Sequence, residues 1–139
     1  MSSIRLGSCL CGAVKFEVRG KMRSVVNCHC SLCRRWHGHF GAYTGALLEN
    51  FTLLEQRGLR WYSVPSGKAE RGFCGECGSS LFFRKKEEGT DAIGICAGTL
   101  DKPTGLTTKR HEFVADMGDY YALDDALEKW PRGVRVTEV

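Results

Sequence analysis

Phe73-Cys74-Gly75-Glu76-Cys77-Gly78 has the form of a zinc knuckle, and reading it as one decides much of the fold. Tetrahedral zinc binds thiolates at about 2.3 Å, so neighbouring sulfurs lie within about 4 Å of one another. Two cysteines separated by two residues reach that spacing in a tight turn, and Gly75 and Gly78 permit the left-handed backbone angles such a turn needs. A knuckle supplies only half a site. Cys9-Leu10-Cys11-Gly12 offers the second pair, again followed by glycine. The expectation is a structural tetrathiolate site of Cys9, Cys11, Cys74 and Cys77; the competing reading is buried apolar cysteines or a redox pair.

Cys28-His29-Cys30-Ser31-Leu32-Cys33 is a different object. It brings three closely spaced thiols and no obvious fourth. Three protein ligands leave a metal one open position, the mark of a catalytic site. His29 is a poor fourth ligand, because adjacent residues tend to point apart. His37, His39 or His111 offer a borrowed ligand, and a metal-free thiol activated by Arg34 and Arg35 is a further reading. Two guanidinium groups in this position suit carboxylates held by paired hydrogen bonds. Cys96 lies in the apolar run Ile93-Gly94-Ile95-Cys96-Ala97 and reads as core packing.

The chain has 139 residues, eight of them cysteine, and a formal net charge of +4. That length suits one domain, 1–139 with a core of about 6–130, able to bury a hydrophobic interior without relying on metal alone. The first residues, Met1 to Gly7, show no apolar stretch of the signal-peptide kind, and nothing approaches a membrane span. The expected location is therefore cytoplasmic, where thiols stay reduced and clustered cysteines read as ligands before disulfides. The basic residues form pairs such as Arg34-Arg35 rather than a dense stripe, which disfavours nucleic acid and suits small anionic ligands.

The rest of the pattern is mainly β. Val14, Phe16 and Val18 alternate with Lys15 and Glu17, a strand with one wet face. Further strands are expected at Gly38 to Leu48, Phe51 to Leu54, Leu59 to Ser63, Ser80 to Phe83, Ala92 to Ala97 and His111 to Val114, with a turn at Gln56-Arg57-Gly58 and a loop over Lys85 to Asp91. Helix is expected only around Cys30 to Trp36 and, ended by Pro131, over Asp124 to Trp130. Many short strands with glycine-rich turns indicate a sandwich or small barrel.

Taken in order, Cys9-x-Cys11-Gly12, Cys28-His29-Cys30-Ser31-x-Cys33-Arg34-Arg35, Arg71-x-Phe73-Cys74-x-x-Cys77-Gly78-Ser79 and Gly98-Thr99-Leu100-Asp101 resemble the glutathione-dependent formaldehyde-activating enzymes, a family that includes centromere protein V domains. The resemblance runs from about Leu6 to Trp130. It implies a coiled β-sandwich of the Mss-four-like type, the fold of methionine sulfoxide reductase B. It also implies structural zinc at Cys9, Cys11, Cys74 and Cys77, and a second, catalytic zinc at Cys28, Cys30 and Cys33. The implied activity is that of a carbon–sulfur lyase joining a small thiol, glutathione or similar, to an aldehyde such as formaldehyde. Two alternatives come from other classes: a non-enzymatic zinc scaffold of the centromere-protein kind, and a thiol oxidoreductase using Cys96.

Overall fold

A computed structural model describes residues 3–133. Among these residues eleven strands form two sheets, with one short α-helix beside them: β1 (Ile4–Ser8), β2 (Lys15–Arg19) and β5 (Phe51–Glu55) make the smaller. The larger contains β3 (Val25–Cys28), β4 (Gly41–Leu47), β6 (Leu59–Ser63), β7 (Ala69–Cys74), β8 (Ser80–Lys85), β9 (Ala92–Cys96), β10 (Thr108–Glu112) and β11 (Glu128–Lys129), in the order β11-β10-β3-β4-β9-β8-β7-β6. The helix α1 (Ser31–His37) follows β3 directly. No helix among the described residues is long and apolar enough to cross a membrane.

The core lies between the sheets and follows from the alternation in β2. Val14, Phe16 and Val18 are fully buried, and they meet Ala46 of β4, Leu81 and Phe82 of β8, and Ile93 and Ile95 of β9. Phe16 and Phe51 from the small sheet both set their rings edge-on to Phe82 in the large one, with centroids 5.2 and 5.1 Å apart. That arrangement suits aromatic quadrupoles better than face-to-face stacking.

The expected mainly β architecture is therefore present, with instructive differences. Phe51–Glu55 and Leu59–Ser63 look like a hairpin in sequence, but β5 and β6 belong to different sheets. The intervening turn carries the chain across the sandwich. Its Gly58 donates to the Ala13 carbonyl and accepts from the Gly75 amide. Strands β1 and β7 carry no clear period-2 signal in sequence; β7 is recognised only by its cysteine.

The strand expected at His111 to Val114 ends early, because Phe113 takes a left-handed backbone (φ 57°) that a strand cannot continue through. The helix expected over Asp124 to Trp130 does not form. Asp125 accepts the Leu127 amide on its side chain, a local bond that competes with helix, and β11 then pairs parallel to β10. Trp130 is held there by its amide on the His111 carbonyl and by the Arg110 guanidinium 3.8 Å from its ring.

Phe16→Ala should cost about 3–5 kcal/mol of unfolding free energy, the usual range for removing a buried aromatic ring. Urea unfolding followed by tryptophan fluorescence measures this.

Candidate metal centres and the basic cavity

Two cysteine clusters form, with the memberships read from the sequence, and in each every ligand atom lies within 4.8 Å of the others. In the first, Cys9 follows β1, Cys74 ends β7, and the sulfurs of Cys9 and Cys11 and of Cys11 and Cys74 lie 3.7 and 3.8 Å apart. A tetrahedron with 2.3 Å metal–sulfur bonds has edges of about 3.8 Å, which these two distances match, so the cluster suits a metal ion. Backbone geometry supports it. Gly12 and Gly78 take left-handed angles (φ 84° and 81°). Gly75 does not, contrary to expectation. Its lack of a side chain matters instead because a Cβ would sit 2.9 Å from Arg60 Cγ.

Ser79 joins the two knuckles: its hydroxyl accepts the Leu10 amide and lies 3.1 Å from the Cys77 sulfur. Its contact holds the Cys77 thiol down to about 5. The Val14 amide donates to the Cys9 sulfur. Such donors favour thiolates, as a metal ligand set requires.

The second cluster is built by the β3–α1 junction. Cys28 ends β3, Cys30 is the N-cap of α1, and Cys33 lies in the first turn. The Cys30 sulfur accepts the Cys33 amide at 3.3 Å, so one side chain both caps the helix and faces the cluster. Gly38, left-handed at φ 78°, ends the helix by donating to the Arg34 carbonyl. Hydrogen bonds from Cys28 and Cys33 hold the Cys30 thiol down to about 2, and the same bond pushes Cys28 up. The three thiols share their protons, so a first thiolate is favoured over a second and a third.

None of the four histidines supplies a fourth ligand, and each is engaged elsewhere. Asp125 accepts from His111 Nε2 at 2.9 Å, which leaves His111 Nδ1 to accept from His29 Nε2 at 2.8 Å; His29 Nδ1 then accepts the Tyr121 hydroxyl. His29 is fully buried in this chain. His39 bonds Tyr120. His37 Nε2 lies 2.6 Å from the Tyr43 hydroxyl, which accepts from Arg71 at 2.9 Å and so donates its proton to His37. The wiring of His29 to His111 has no signature in the sequence, since the two lie 82 residues apart, and that of His37 to Tyr43 depends on how α1 turns back onto β4.

A cavity of about 740 Å³ opens beside the second cluster, with Cys28, Cys30 and Cys33 in its wall. Lys21, Arg23, Lys85 and Lys109 line it together with the buried Arg71 and Arg110, against a single acid among the described residues, Glu112, which pairs with Arg110 at 2.8 Å. Arg34 and Arg35, the sequence's candidates for carboxylate binding, are not in this wall. Cys33 directs α1's inner face to the cluster, and successive helical residues are rotated by about 100° from it. Arg35 is exposed, and the Arg34 Nε is buried without a hydrogen-bond partner. Cys96 is buried as expected, and burial pushes its thiol up, which opposes a nucleophilic role.

The clusters should respond differently to loss of a ligand. Cys74→Ser should unfold or aggregate the protein, because a metal bound there would contribute directly to folding, whereas Cys30→Ser should keep a cooperative melt. Equal losses in thermal melts would refute the division. A pH effect should accompany His37, which burial, followed by Arg71, pushes down to about 4 from its ordinary 6.5. The unfolded chain gains a proton on His37 that the folded one refuses, so this stability is full above pH 6.5 and is lost as pH falls toward 4. Wild type should therefore lose stability more steeply than His37→Gln across that window in urea titrations, a difference that acid release of metal, common to both, cannot produce.

Comparison with known proteins agrees with this geometry. An uncharacterized lyase of Schizosaccharomyces pombe is 32% identical over 78 residues, covering 55% of this chain and 55% of that protein. A putative glutathione-dependent formaldehyde-activating enzyme of Halomonas elongata is 34% identical over 84 residues, covering 55% and 53%. The match thus spans about half the length of these curated relatives. A crystal structure of a Rhodobacter sphaeroides protein superposes with a TM-score of 0.58 at 25% identity, covering 74% of this chain and 97% of that one. The model of the family described as glutathione-dependent formaldehyde-activating enzyme matches residues 4–116, which include both cysteine clusters, and the chain belongs to that family.

Proposed function

We propose that the chain is a zinc-dependent carbon–sulfur lyase that joins a small acidic thiol of the glutathione type to an aldehyde such as formaldehyde, and splits the same adduct. The observation that carries this reading is the three-cysteine cluster in the wall of a basic cavity, with no fourth protein ligand among the described residues. The family and the names of the two relatives support it. The four-cysteine site is the structural zinc site in this reading, and the three-cysteine site the catalytic one.

Zinc bound by Cys28, Cys30 and Cys33 would supply a means of keeping a substrate thiol as thiolate at neutral pH. The chain's own residues bind and orient. Lys21, Arg23, Lys85 and Lys109 surround the cavity with positive charge, which suits a thiol carrying carboxylates better than a neutral one. A sulfur electron pair forms the carbon–sulfur bond, the carbonyl π pair moves to oxygen, and one proton, equal to that lost by the thiol, returns to the oxygen. His37 and His39 do not line the cavity, so water is the proton donor in this scheme. Cleavage is the same sequence reversed.

Exchange NMR with glutathione and carbon-13 formaldehyde provides the test. The protein should accelerate adduct exchange above the buffer rate, Cys30→Ser should abolish the acceleration, and 2-mercaptoethanol should be a poorer substrate by KM. No acceleration by metal-replete protein would overturn the lyase reading; equal KM for both thiols would overturn the role of the cavity cations. Purified without chelator, the protein should carry between one and two zinc per chain by elemental analysis.

A further inference from the structure

Arg71 is a charged side chain in an unusual place. It lies in β7, only 4% exposed, and among the described residues no carboxylate pairs with it. Its guanidinium donates from Nη1 to the Tyr43 hydroxyl at 2.9 Å and from Nη2 to the Cys33 sulfur at 3.5 Å, with the Phe83 ring centroid 5.2 Å away. A buried cation without a counter-charge is strongly unfavourable, so its partner must be the cysteine cluster itself. The same strand ends in Cys74, a ligand of the other cluster, so β7 carries the cation to one site and a ligand to the other.

Charge counting shows what this cation does. A divalent ion held by three thiolates carries one net negative charge, and a fourth thiolate makes it two. Putting a second negative charge into a largely buried site is costly unless a positive group stands beside it. Lys21, Lys85 and Lys109 are exposed, where water screens them. Arg71 is buried and already in contact with Cys33.

We propose that Arg71 is the positioning residue that lets the three-cysteine site accept an anionic thiol as a fourth ligand, by supplying its counter-charge and by holding Cys33 through a fixed fork shared with Tyr43. This rests on the lyase reading of the site and adds to it a determinant that does not touch the thiol's carboxylates. Tyr43 fixes the fork: it accepts from Arg71 and donates to His37, so the guanidinium is held by a hydrogen-bonded partner besides Cys33.

The test uses the full chain loaded with cobalt and titrated with 2-mercaptoethanol, which has no carboxylate for the rim cations to hold. Absorption reports thiolate ligation, and metal analysis after gel filtration checks that cobalt is retained. Wild type should show a saturable spectral change that Cys30→Ser lacks. Arg71→Gln should need about ten- to a hundred-fold more thiol, the size expected for losing a hydrogen bond to a charged group. Arg71→Lys, which keeps the charge but cannot span Cys33 and Tyr43, should fall between.

Selective loss of the second cobalt in Arg71→Gln, with the first retained and the fold intact, also supports the proposal. An Arg71→Gln protein that responds at the wild-type thiol concentration overturns it. Should Arg71→Gln fail to fold, Arg71→Lys decides: weakened thiol binding supports the proposal and wild-type binding refutes it. A wild-type protein with no thiol response would instead sink the open-position reading of the site, whatever Arg71 does.

Discussion

Four sulfurs from two segments meet within 4.8 Å of one another, and much of the fold is arranged around that meeting. Cys11 and Cys74 lie 63 residues apart in the chain and 3.8 Å apart in space. The turn that carries the chain between the sheets passes beside them. A Cβ on Gly58 would lie 2.8 Å from both Ala13 Cβ and Cys74 Sγ. Strand β7 therefore cannot shift without moving Cys74, and β1 cannot shift without moving Cys9. The hydrophobic layer of Phe16, Phe51 and Phe82 joins the same sheets without fixing a distance; a metal held by the four sulfurs would add a fixed distance that apolar packing cannot impose.

The second cluster depends on that frame, and is more local. A seven-residue helix is too short to be stable alone. It is held by its cap at Cys30, by Gly38 at its end, and by Trp36, which donates to Ser80, stacks on Tyr62 and sets its ring against Phe73. The helix is thus moored to β6, β7 and β8, the part of the large sheet that ends in the first cluster. Three ligands come from one junction, so their geometry follows from the helix start, while their surroundings come from the sheet.

Those surroundings are electrostatic. The cavity gathers cations from segments near residues 21, 85 and 109, and β7 adds one buried guanidinium at the sulfurs. The histidines, which chemistry would nominate first for proton transfer, are spent on structure: His29 and His111 tie β3 and β10 to the Asp125 and Tyr121 segment, and His37 fixes Tyr43. What faces the cavity is therefore thiols and positive charge.

The sequence by itself determined what is set by near neighbours. Both ligand sets follow from cysteines one to three residues apart, the helix start from Cys30 and its following turn, and the buried face of β2 from strict alternation. It failed where a local pattern has a non-local rival. Asp124 to Trp130 has a helical look, but pairing with β10 and the Arg110–Trp130 contact win. Arg34 and Arg35 adjoin the cysteines in sequence, yet helix rotation turns them from the cavity. Arg71, remote in sequence, reaches Cys33 because β7 pairs with β8 in a register that sets it opposite Phe83, beside the cluster of Cys33, Tyr43 and Cys96. Which charges face the sulfurs was decided only by the tertiary structure, because that depends on strand register across the sheet, and register is fixed by the packing of side chains far apart in the chain.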